Sequence, residues 1–104
     1  EQAVENAEAI CSTPGLTGIY VGPSDLAISM GEGPGLDRGP GKVYDAIQHV
    51  LTTAKASGIR AGLHCMAPDY IKKMYDCGFD FASLSNDVRL LTQVVTSQIN
   101  AVRS

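Results

Sequence analysis

Several features that assign a function on their own are missing from this sequence. Its three cysteines, at positions 11, 65 and 77, are odd in number and include no Cys-x-x-Cys pair. This pattern argues against a disulfide framework, a zinc site and a redox dithiol, so we expect free thiols. Eight lysines and arginines against 11 aspartates and glutamates give a net charge of −3, which argues against a nucleic-acid partner recruited by bulk charge.

Long hydrophobic runs are also missing. No apolar run approaches the roughly 20 residues needed to span a bilayer, and residues 1–5 lack the basic and apolar regions of a signal peptide. The sequence therefore predicts no membrane partner and a cytoplasmic location.

The composition suits one compact domain. The chain has 104 residues, of which 44% are hydrophobic. This length is close to the common size of a domain, and it allows a modest core without disulfides. We therefore treat residues 1–104 as one domain.

Within this domain, an amphipathic helix followed by a short apolar strand occurs three times. Apolar residues at helical spacing predict the helices, and apolar runs bounded by glycine predict the strands. The third helix has a proline suited to a first helical position, Pro68, and ends at Gly78. The predicted helices cover residues 1–11, 43–54, 68–77 and 87–102, and the predicted strands cover residues 18–22, 59–63 and 79–84.

This alternation predicts an α/β fold. Helices and strands in alternation usually form a parallel sheet with right-handed helical crossovers. Three strands, however, make a narrow sheet with unpaired outer edges. A chain that opens on a helix with no strand before it also looks cut, so we expect part of a larger barrel.

A long connection follows the first strand at residues 31–41, which are too rich in glycine and proline for a helix or strand. Loops at the carboxyl ends of parallel strands are where α/β proteins place their sites. A flexible surface connector is an equally good interpretation of this composition.

The segment at residues 22–27, GPSDLA, comes directly after the first strand. Backbone N–H groups of a tight turn there can face an anion, and Asp25 is a candidate metal ligand. The alternative is that Ser24 or Asp25 caps a short helix extending to Met30. The residues alone leave both interpretations open.

Residues 22–31, GPSDLAISMG, resemble the signature of the HpcH/HpaI aldolase family, which are metal-dependent class II pyruvate aldolases. On the N-terminal side, residues 2–10 and the PGLTG segment at 14–18 also match this family. The later helices and strands follow the family's order to the end of the chain. The resemblance implies a (β/α)8 TIM barrel of which this chain is the C-terminal part, strands six to eight.

The resemblance also implies a site. Asp25 is then one carboxylate ligand of a divalent cation, Mg²⁺ or Mn²⁺, and the amides of Ser24 and Asp25 hold the carboxylate of the substrate. Gly22 and Pro23 shape the turn that carries these amides. The candidate substrate-binding residues are Gly22, Pro23, Ser24, Asp25 and Leu63, and Asp25 is the candidate metal ligand.

Other parts of the family's site have no counterpart in these residues. The second metal carboxylate maps two residues upstream of Glu1. The family's substrate-binding arginine and catalytic histidine belong to earlier parts of the barrel. We therefore assign no catalytic residue here and expect the 104-residue chain alone to be inactive.

Further polar residues lie at the predicted strand ends. His64 ends the second strand, where related sequences often carry an apolar residue, and this departure leaves the substrate specificity open. A histidine at the rim of the pocket, or one whose nitrogens are satisfied by hydrogen bonds, is favoured over a nucleophile pair with Cys65, because neighbours in a strand point to opposite faces. Ser83, Ser85 and Asn86 are placed to line the same mouth.

Asp87 and the aromatic residues of the strands are expected to have structural roles. Asp87 is expected to cap the last helix, rather than to join Arg89 in the site. Tyr20, Phe79 and Phe81 are expected to be core aromatics, because they lie in strands among apolar neighbours.

The resemblance implies a metal-dependent lyase that cleaves a 4-hydroxy-2-oxoacid to pyruvate and an aldehyde. The alternatives are a non-catalytic α/β fragment that acts in binding or assembly, and a citrate-lyase-like enzyme that acts on an acyl-CoA. The apolar surface of residues 87–102 is wider than a single stripe. Since members of the family exchange this helix between subunits, we expect a homo-oligomer formed through it.

Overall fold

The computed structural model describes all residues, 1–104. The helices are α1 (Gln2–Glu5), α2 (Ala7–Cys11), α3 (Pro23–Ser29), α4 (Lys42–Ala56), α5 (Pro68–Cys77) and α6 (Asp87–Arg103). The strands are β1 (Gly18–Val21), β2 (Arg60–Cys65) and β3 (Phe81–Leu84).

The three strands form one parallel sheet in the order β1-β2-β3. In the register of the sheet, Val21 of β1 pairs with Leu63 of β2, and Leu63 pairs with Ala82 of β3. α3 and α4 lie in the connection from β1 to β2, and α5 connects β2 to β3. The predicted α/β fold with three parallel strands and flanking helices is confirmed, and the carboxyl ends of all three strands lie at one edge of the sheet.

The core lies between the sheet and the helices that cover one of its faces. Ala61, Leu63 and Cys65 alternate along β2 and are fully buried in this layer. Complete burial of a leucine such as Leu63 contributes about 2 kcal/mol. α4 packs a single apolar stripe against the sheet, formed by Val43, Ile47, Leu51 and Ala54.

The opposite face of the sheet has no helix over it in this chain. Tyr20 is 51% exposed and Phe81 is 43% exposed, and their rings stack with centroids 6.1 Å apart. Gly62 lies between them in the register, where a Cβ would collide with the Phe81 ring. The prediction of core positions is confirmed for Phe79, which is 4% exposed, and is wrong for Tyr20 and Phe81.

Most element bounds differ by one or two residues from those predicted, and β2, for example, extends to Cys65 rather than to residue 63. Two of the differences have a local cause. The first helix is divided at Asn6, whose side chain donates to the carbonyl of Gln2 at 2.9 Å and so competes with the helical backbone. The third strand begins at Phe81 rather than Phe79, because the Phe79 N–H donates to the carbonyl of Met74 at the end of α5.

The predicted bounds of α5 are confirmed, whereas the predicted cap of α6 is wrong. α5 begins at Pro68 and is followed by Gly78 with φ of 116°, a left-handed conformation that glycine adopts without strain. α6 is capped by Asn86, whose side chain accepts from the Arg89 N–H at 2.8 Å. The predicted cap, Asp87, is instead the first helical residue.

α6 extends away from the rest of the chain. None of its 17 residues is buried, and the longest dimension of the molecule is 55 Å. None of the helices is long and apolar enough to cross a membrane. The apolar residues exposed along α6 are Val88, Leu90, Leu91, Val94, Val95, Ile99 and Val102.

Candidate functional site

A cleft of about 420 Å³ lies where the carboxyl ends of the three strands meet the 31–41 loop. Each strand contributes polar groups from the residues at or just beyond its end. The cleft is lined by Gly22, Pro23, Ser24, Asp25, Pro34, Gly35, Leu36, His64, Met66, Ser85, Asn86 and Arg89.

The turn after β1 leads directly into α3. Gly22 precedes this helix and Pro23 is its first residue, a position where the missing N–H of proline has no cost. Neither Ser24 nor Asp25 caps α3 through its side chain, so the capping interpretation of these residues is wrong. The four predicted residues of this turn all line the cleft.

Asp25 is exposed and makes no hydrogen bond or ion pair through its carboxylate within the chain. A Cβ added at Gly22 would lie 3.2 Å from Oδ2 of Asp25, so the absence of a side chain at Gly22 leaves room for this carboxylate. Both oxygens of Asp25 are therefore available to a ligand in the cleft.

The 31–41 loop is held to the site by hydrogen bonds. The Gly35 N–H donates to Oγ of Ser24 at 3.0 Å. The Asp37 carboxylate accepts from the N–H groups of Met66 and Ala67, at 2.7 and 2.9 Å, just before α5. These contacts, together with the position of residues 34–36 in the cleft lining, favour a role in the site over that of a flexible surface connector.

Arg38 of the loop and Tyr70 of α5 make further hydrogen bonds that hold the loop. Nε of Arg38 donates to the carbonyl of Gly35 at 3.3 Å, and its guanidinium lies 3.5 Å from Glu32. The Tyr70 hydroxyl donates to the carbonyl of Arg38 at 2.7 Å. Burial raises the pKa of Tyr70 to about 12, so this hydroxyl keeps its proton at neutral pH.

The end of β2 corrects one predicted site residue. Leu63 is fully buried in the core and does not line the cleft, whereas its neighbour His64 does. Successive side chains of a strand point to opposite faces, so only one of the two can face the cleft. Burial raises the pKa of Cys65 to about 11, with a smaller contribution from Asp37, so the thiol is not an activated nucleophile.

The end of β3 contributes Ser85, Asn86 and Arg89 to the cleft, as predicted for the first two. Ser85 is 7% exposed and has a φ of 54°. The Arg89 guanidinium contacts Sδ of Met66. Ser83, also placed at this mouth by the sequence, instead forms a hydrogen bond with the Tyr20 hydroxyl and does not line the cleft.

Five cleft residues were not predicted from the sequence: Pro34, Gly35, Leu36, Met66 and Arg89. The position of the glycine-rich loop after a strand indicated the region, but nothing in its composition indicated which residues turn inward. That selection depends on two contacts of the loop, that of Gly35 with Ser24 and that of Asp37 with Met66.

The donor groups of the cleft fit a divalent cation only in part. Asp25 offers hard carboxylate oxygens of the kind that Mg²⁺ and Mn²⁺ prefer. The structure contains no group of three or more His, Cys, Asp or Glu residues placed to hold a metal ion. These residues therefore fit one position of a coordination shell and not a complete site.

A family model described as HpcH/HpaI aldolase/citrate lyase matches residues 1–93. The chain belongs to this family. The resemblance carried by residues 22–31 is thereby confirmed at the level of the family, and the three parallel strands with their helices form part of a (β/α)8 barrel.

Individual relatives agree with this assignment. The chain is 32% identical over 103 residues to a hydroxypyruvate/pyruvate aldolase of Rhizorhabdus wittichii, covering 99% of this chain and 41% of the relative. It is 36% identical over 85 residues to a 5-keto-4-deoxy-D-glucarate aldolase of Escherichia fergusonii, covering 82% of this chain and 32% of the relative.

A solved structure shows the same arrangement of elements. An HpcH/HpaI aldolase/citrate lyase family protein from Burkholderia cenocepacia J2315 matches with a TM-score of 0.88 and 32% identity. The match covers 97% of this chain and 38% of that protein. The chain thus spans about two fifths of the length of this family member.

Proposed function

We propose that the protein containing this chain is a metal-dependent aldolase. It cleaves a 4-hydroxy-2-oxoacid to pyruvate and an aldehyde, or condenses the two, in the cytoplasm. The observation that carries this proposal is the turn at residues 22–25, which presents an unpaired carboxylate to the cleft in a chain of an aldolase family. The class of reaction is taken from the relatives named as aldolases.

Each residue of the turn has a role in this proposal. Asp25 provides one oxygen ligand to Mg²⁺ or Mn²⁺, which supplies positive charge beside the keto oxygen of the substrate when it is bound. The backbone N–H groups of Ser24 and Asp25 donate no hydrogen bond within the chain, so they are free to bind the substrate carboxylate. Gly22 and Pro23 hold these groups in a tight turn.

The proposed cleavage balances without a redox partner. The bond between C3 and C4 of the oxoacid breaks, and the C4 hydroxyl loses its proton as the aldehyde forms. C3 receives a proton and becomes the methyl group of pyruvate. We assign neither proton transfer to a residue of this chain.

The cleft favours a small oxoacid over an acyl-CoA, the substrate of the citrate-lyase-like alternative. Its volume is about 420 Å³, and Arg89 is the one lysine or arginine that lines it. A phosphorylated nucleotide is larger and is typically met by several cationic or backbone donors.

Substitution of Asp25 tests the proposal in the protein expressed from its complete gene. Asp25→Asn removes a charged oxygen ligand while nearly conserving volume. We expect Mn²⁺ affinity, measured by calorimetry, and pyruvate release, measured with a lactate-dehydrogenase-coupled assay, to fall together by about tenfold or more.

Asp76→Asn is the matched control, because Asp76 is an exposed aspartate on α5 that does not line the cleft. It should leave both quantities unchanged. Unaltered metal affinity and turnover in Asp25→Asn would remove Asp25 from the site. Absence of turnover in the unsubstituted protein would favour the non-catalytic alternative.

We further propose that α6 packs against a second copy of this chain in a homo-oligomer. The helix has no buried residue, and it exposes apolar side chains over most of its length. Leu91 is 66% exposed and Val94 is 57% exposed, a degree of exposure that favours coverage by a partner.

The oligomeric state tests this contact. Leu91→Glu combined with Val94→Glu places two charges on the apolar face, and we expect light scattering to show a smaller assembly at micromolar concentration. Gln93→Glu combined with Gln98→Glu changes the charge of the same helix equally at polar positions and should leave the assembly intact. A monomeric unsubstituted protein contradicts the proposal.

A further inference from the structure

Two buried polar atoms in the cleft have no hydrogen-bond partner within the chain. They are Nε2 of His64 and Oγ of Ser85. Buried polar groups in folded proteins are nearly always paired, since an unpaired one loses its hydration without compensation. The only other such side chain, Gln48, lies on α4 and does not line this cleft.

The backbone holds these two side chains on neighbouring strands. His64 pairs with Ser83 in the register of β2 and β3, and Ser85 follows two residues later. The Ser85 N–H donates to the carbonyl of Cys65 at 2.7 Å, which fixes Ser85 beside the end of β2. Ser85 also keeps a φ of 54°, a conformation that non-glycine residues adopt at a cost and that concentrates at functional sites.

We propose that His64 and Ser85 form a subsite that binds a hydroxyl group of the substrate. The protein then prefers a hydroxylated oxoacid or aldehyde to the analogue that lacks this hydroxyl. This inference rests on the proposed aldolase function and deepens it by naming the substrate class.

The chemistry of the two groups favours a hydroxyl over a carboxylate. A serine hydroxyl donates and accepts, and an imidazole nitrogen does one or the other according to its proton, so together they match a hydroxyl, which also does both. A carboxylate only accepts, and the cleft already offers it donors in the free N–H groups of Ser24 and Asp25 and in the exposed guanidinium of Arg89. A site that pairs buried polar groups with a substrate hydroxyl rejects the deoxy analogue, because these groups are then left unpaired.

Two substrate pairs that differ by one hydroxyl test the subsite and show which end of the substrate it serves. Hydroxypyruvate and pyruvate are compared as the oxoacid, and glycolaldehyde and acetaldehyde are compared as the aldehyde. The variants are His64→Leu, His64→Gln and Ser85→Ala in the metal-loaded protein from the complete gene. His49→Leu is the control, because His49 is the other histidine, is exposed on α4 and lies outside the cleft.

The unsubstituted protein should prefer the hydroxylated member of one pair in kcat/KM. We expect His64→Leu and Ser85→Ala each to reduce this preference by about tenfold, mainly by slowing the hydroxylated substrate. His64→Gln should keep more of the preference than His64→Leu, because an amide can still donate or accept. His49→Leu should leave the preference unchanged.

Calorimetric binding of the same four compounds separates this inference from the aldolase proposal. If the unsubstituted protein turns over none of them, the aldolase proposal fails. The subsite then stands if binding still favours a hydroxylated compound and His64→Leu removes that preference. Equal kcat/KM and equal affinity within both pairs, or a preference that survives both His64→Leu and Ser85→Ala, would overturn it.

Discussion

Asp80, just before β3, binds α4 and β2 through one carboxylate. It accepts hydrogen bonds from the side chain of Lys55 at the end of α4, from Arg60 at 3.1 Å and from the Ala61 N–H at 2.9 Å. The bond from Lys55 is the largest cause that lowers the pKa of Asp80 to about 2, followed by the bond from Ala61. The ionised form is thus favoured in the folded protein.

This lowered pKa predicts a loss of stability in acid. In the unfolded chain an aspartate titrates at about 4, so the contribution of Asp80 is fully present above that pH and is lost as pH falls toward about 2. We expect Asp80→Asn to be less stable than the unsubstituted protein at pH 7, and we expect the difference to shrink below pH 4. Urea unfolding at pH 7 and at a pH below 4 measures this difference in the free energy of unfolding, with Asp76→Asn as the control. A difference that is the same at both pH values contradicts the role of ionised Asp80.

At the scale of elements, the 31–41 loop depends on Asp37 for its position. This residue has a φ of 52°, which aspartate tolerates better than most side chains, and its carboxylate binds the Met66 and Ala67 N–H groups. The loop in turn reaches Ser24 through Gly35. The carboxylate of Asp37, which does not itself line the cleft, therefore helps to set the shape of the cleft.

Removal of this carboxylate should loosen the loop and lower stability. We expect Asp37→Ala to cost about 1–3 kcal/mol, because two backbone amides lose their acceptor. Asp37→Asn should cost less, since its one carbonyl oxygen still accepts and asparagine also tolerates this conformation. Asp69→Ala is the control. It removes a charge at an exposed position in the first turn of α5, the helix that begins just after the two amides bound by Asp37. Urea unfolding measures these changes in the free energy of unfolding. Equal losses for Asp37→Ala and Asp69→Ala would refute this role of Asp37.

At the scale of the whole molecule, the described residues do not supply a complete metal site. The cleft has one candidate metal carboxylate, and the chain has no group of three potential ligands. A Mg²⁺-like cation held by one carboxylate keeps most of its waters and binds weakly. The face of the sheet that carries Tyr20 and Phe81 is also uncovered.

We therefore expect a polypeptide of residues 1–104 alone to show no metal-dependent release of pyruvate from a 4-hydroxy-2-oxoacid. The loss of positioning around the keto group forfeits several kcal/mol of barrier lowering. The coupled assay described for Asp25→Asn measures this, with the protein from the complete gene as the positive control. If the polypeptide of residues 1–104 and the protein from the complete gene showed comparable metal-dependent turnover, the catalytic groups would lie within these residues.

Much of this arrangement follows from local sequence signals. The bounds of α5 were predicted from Pro68 and Gly78, because the backbone preferences of proline and glycine act within one turn of helix. The Gly22–Asp25 turn was found for a similar reason, since a compact motif keeps its residues adjacent in the chain. The cap of α6 was misplaced by one residue because Asn86 and Asp87 both have side chains suited to capping, and only the backbone at Asn86 is extended.

The α/β class, the order of the elements and the turn that carries Asp25 follow from the sequence, because periodicity and turn chemistry are properties of short segments. The family follows from the resemblance carried by residues 22–31. Which side chains share the cleft depends instead on the fold. The alternation of β2 turned Leu63 into the core and His64 toward the site, and the contact of Gly35 with Ser24 brought the loop over it. These outcomes depend on strand pairing and on contacts between distant residues, which no local pattern encodes.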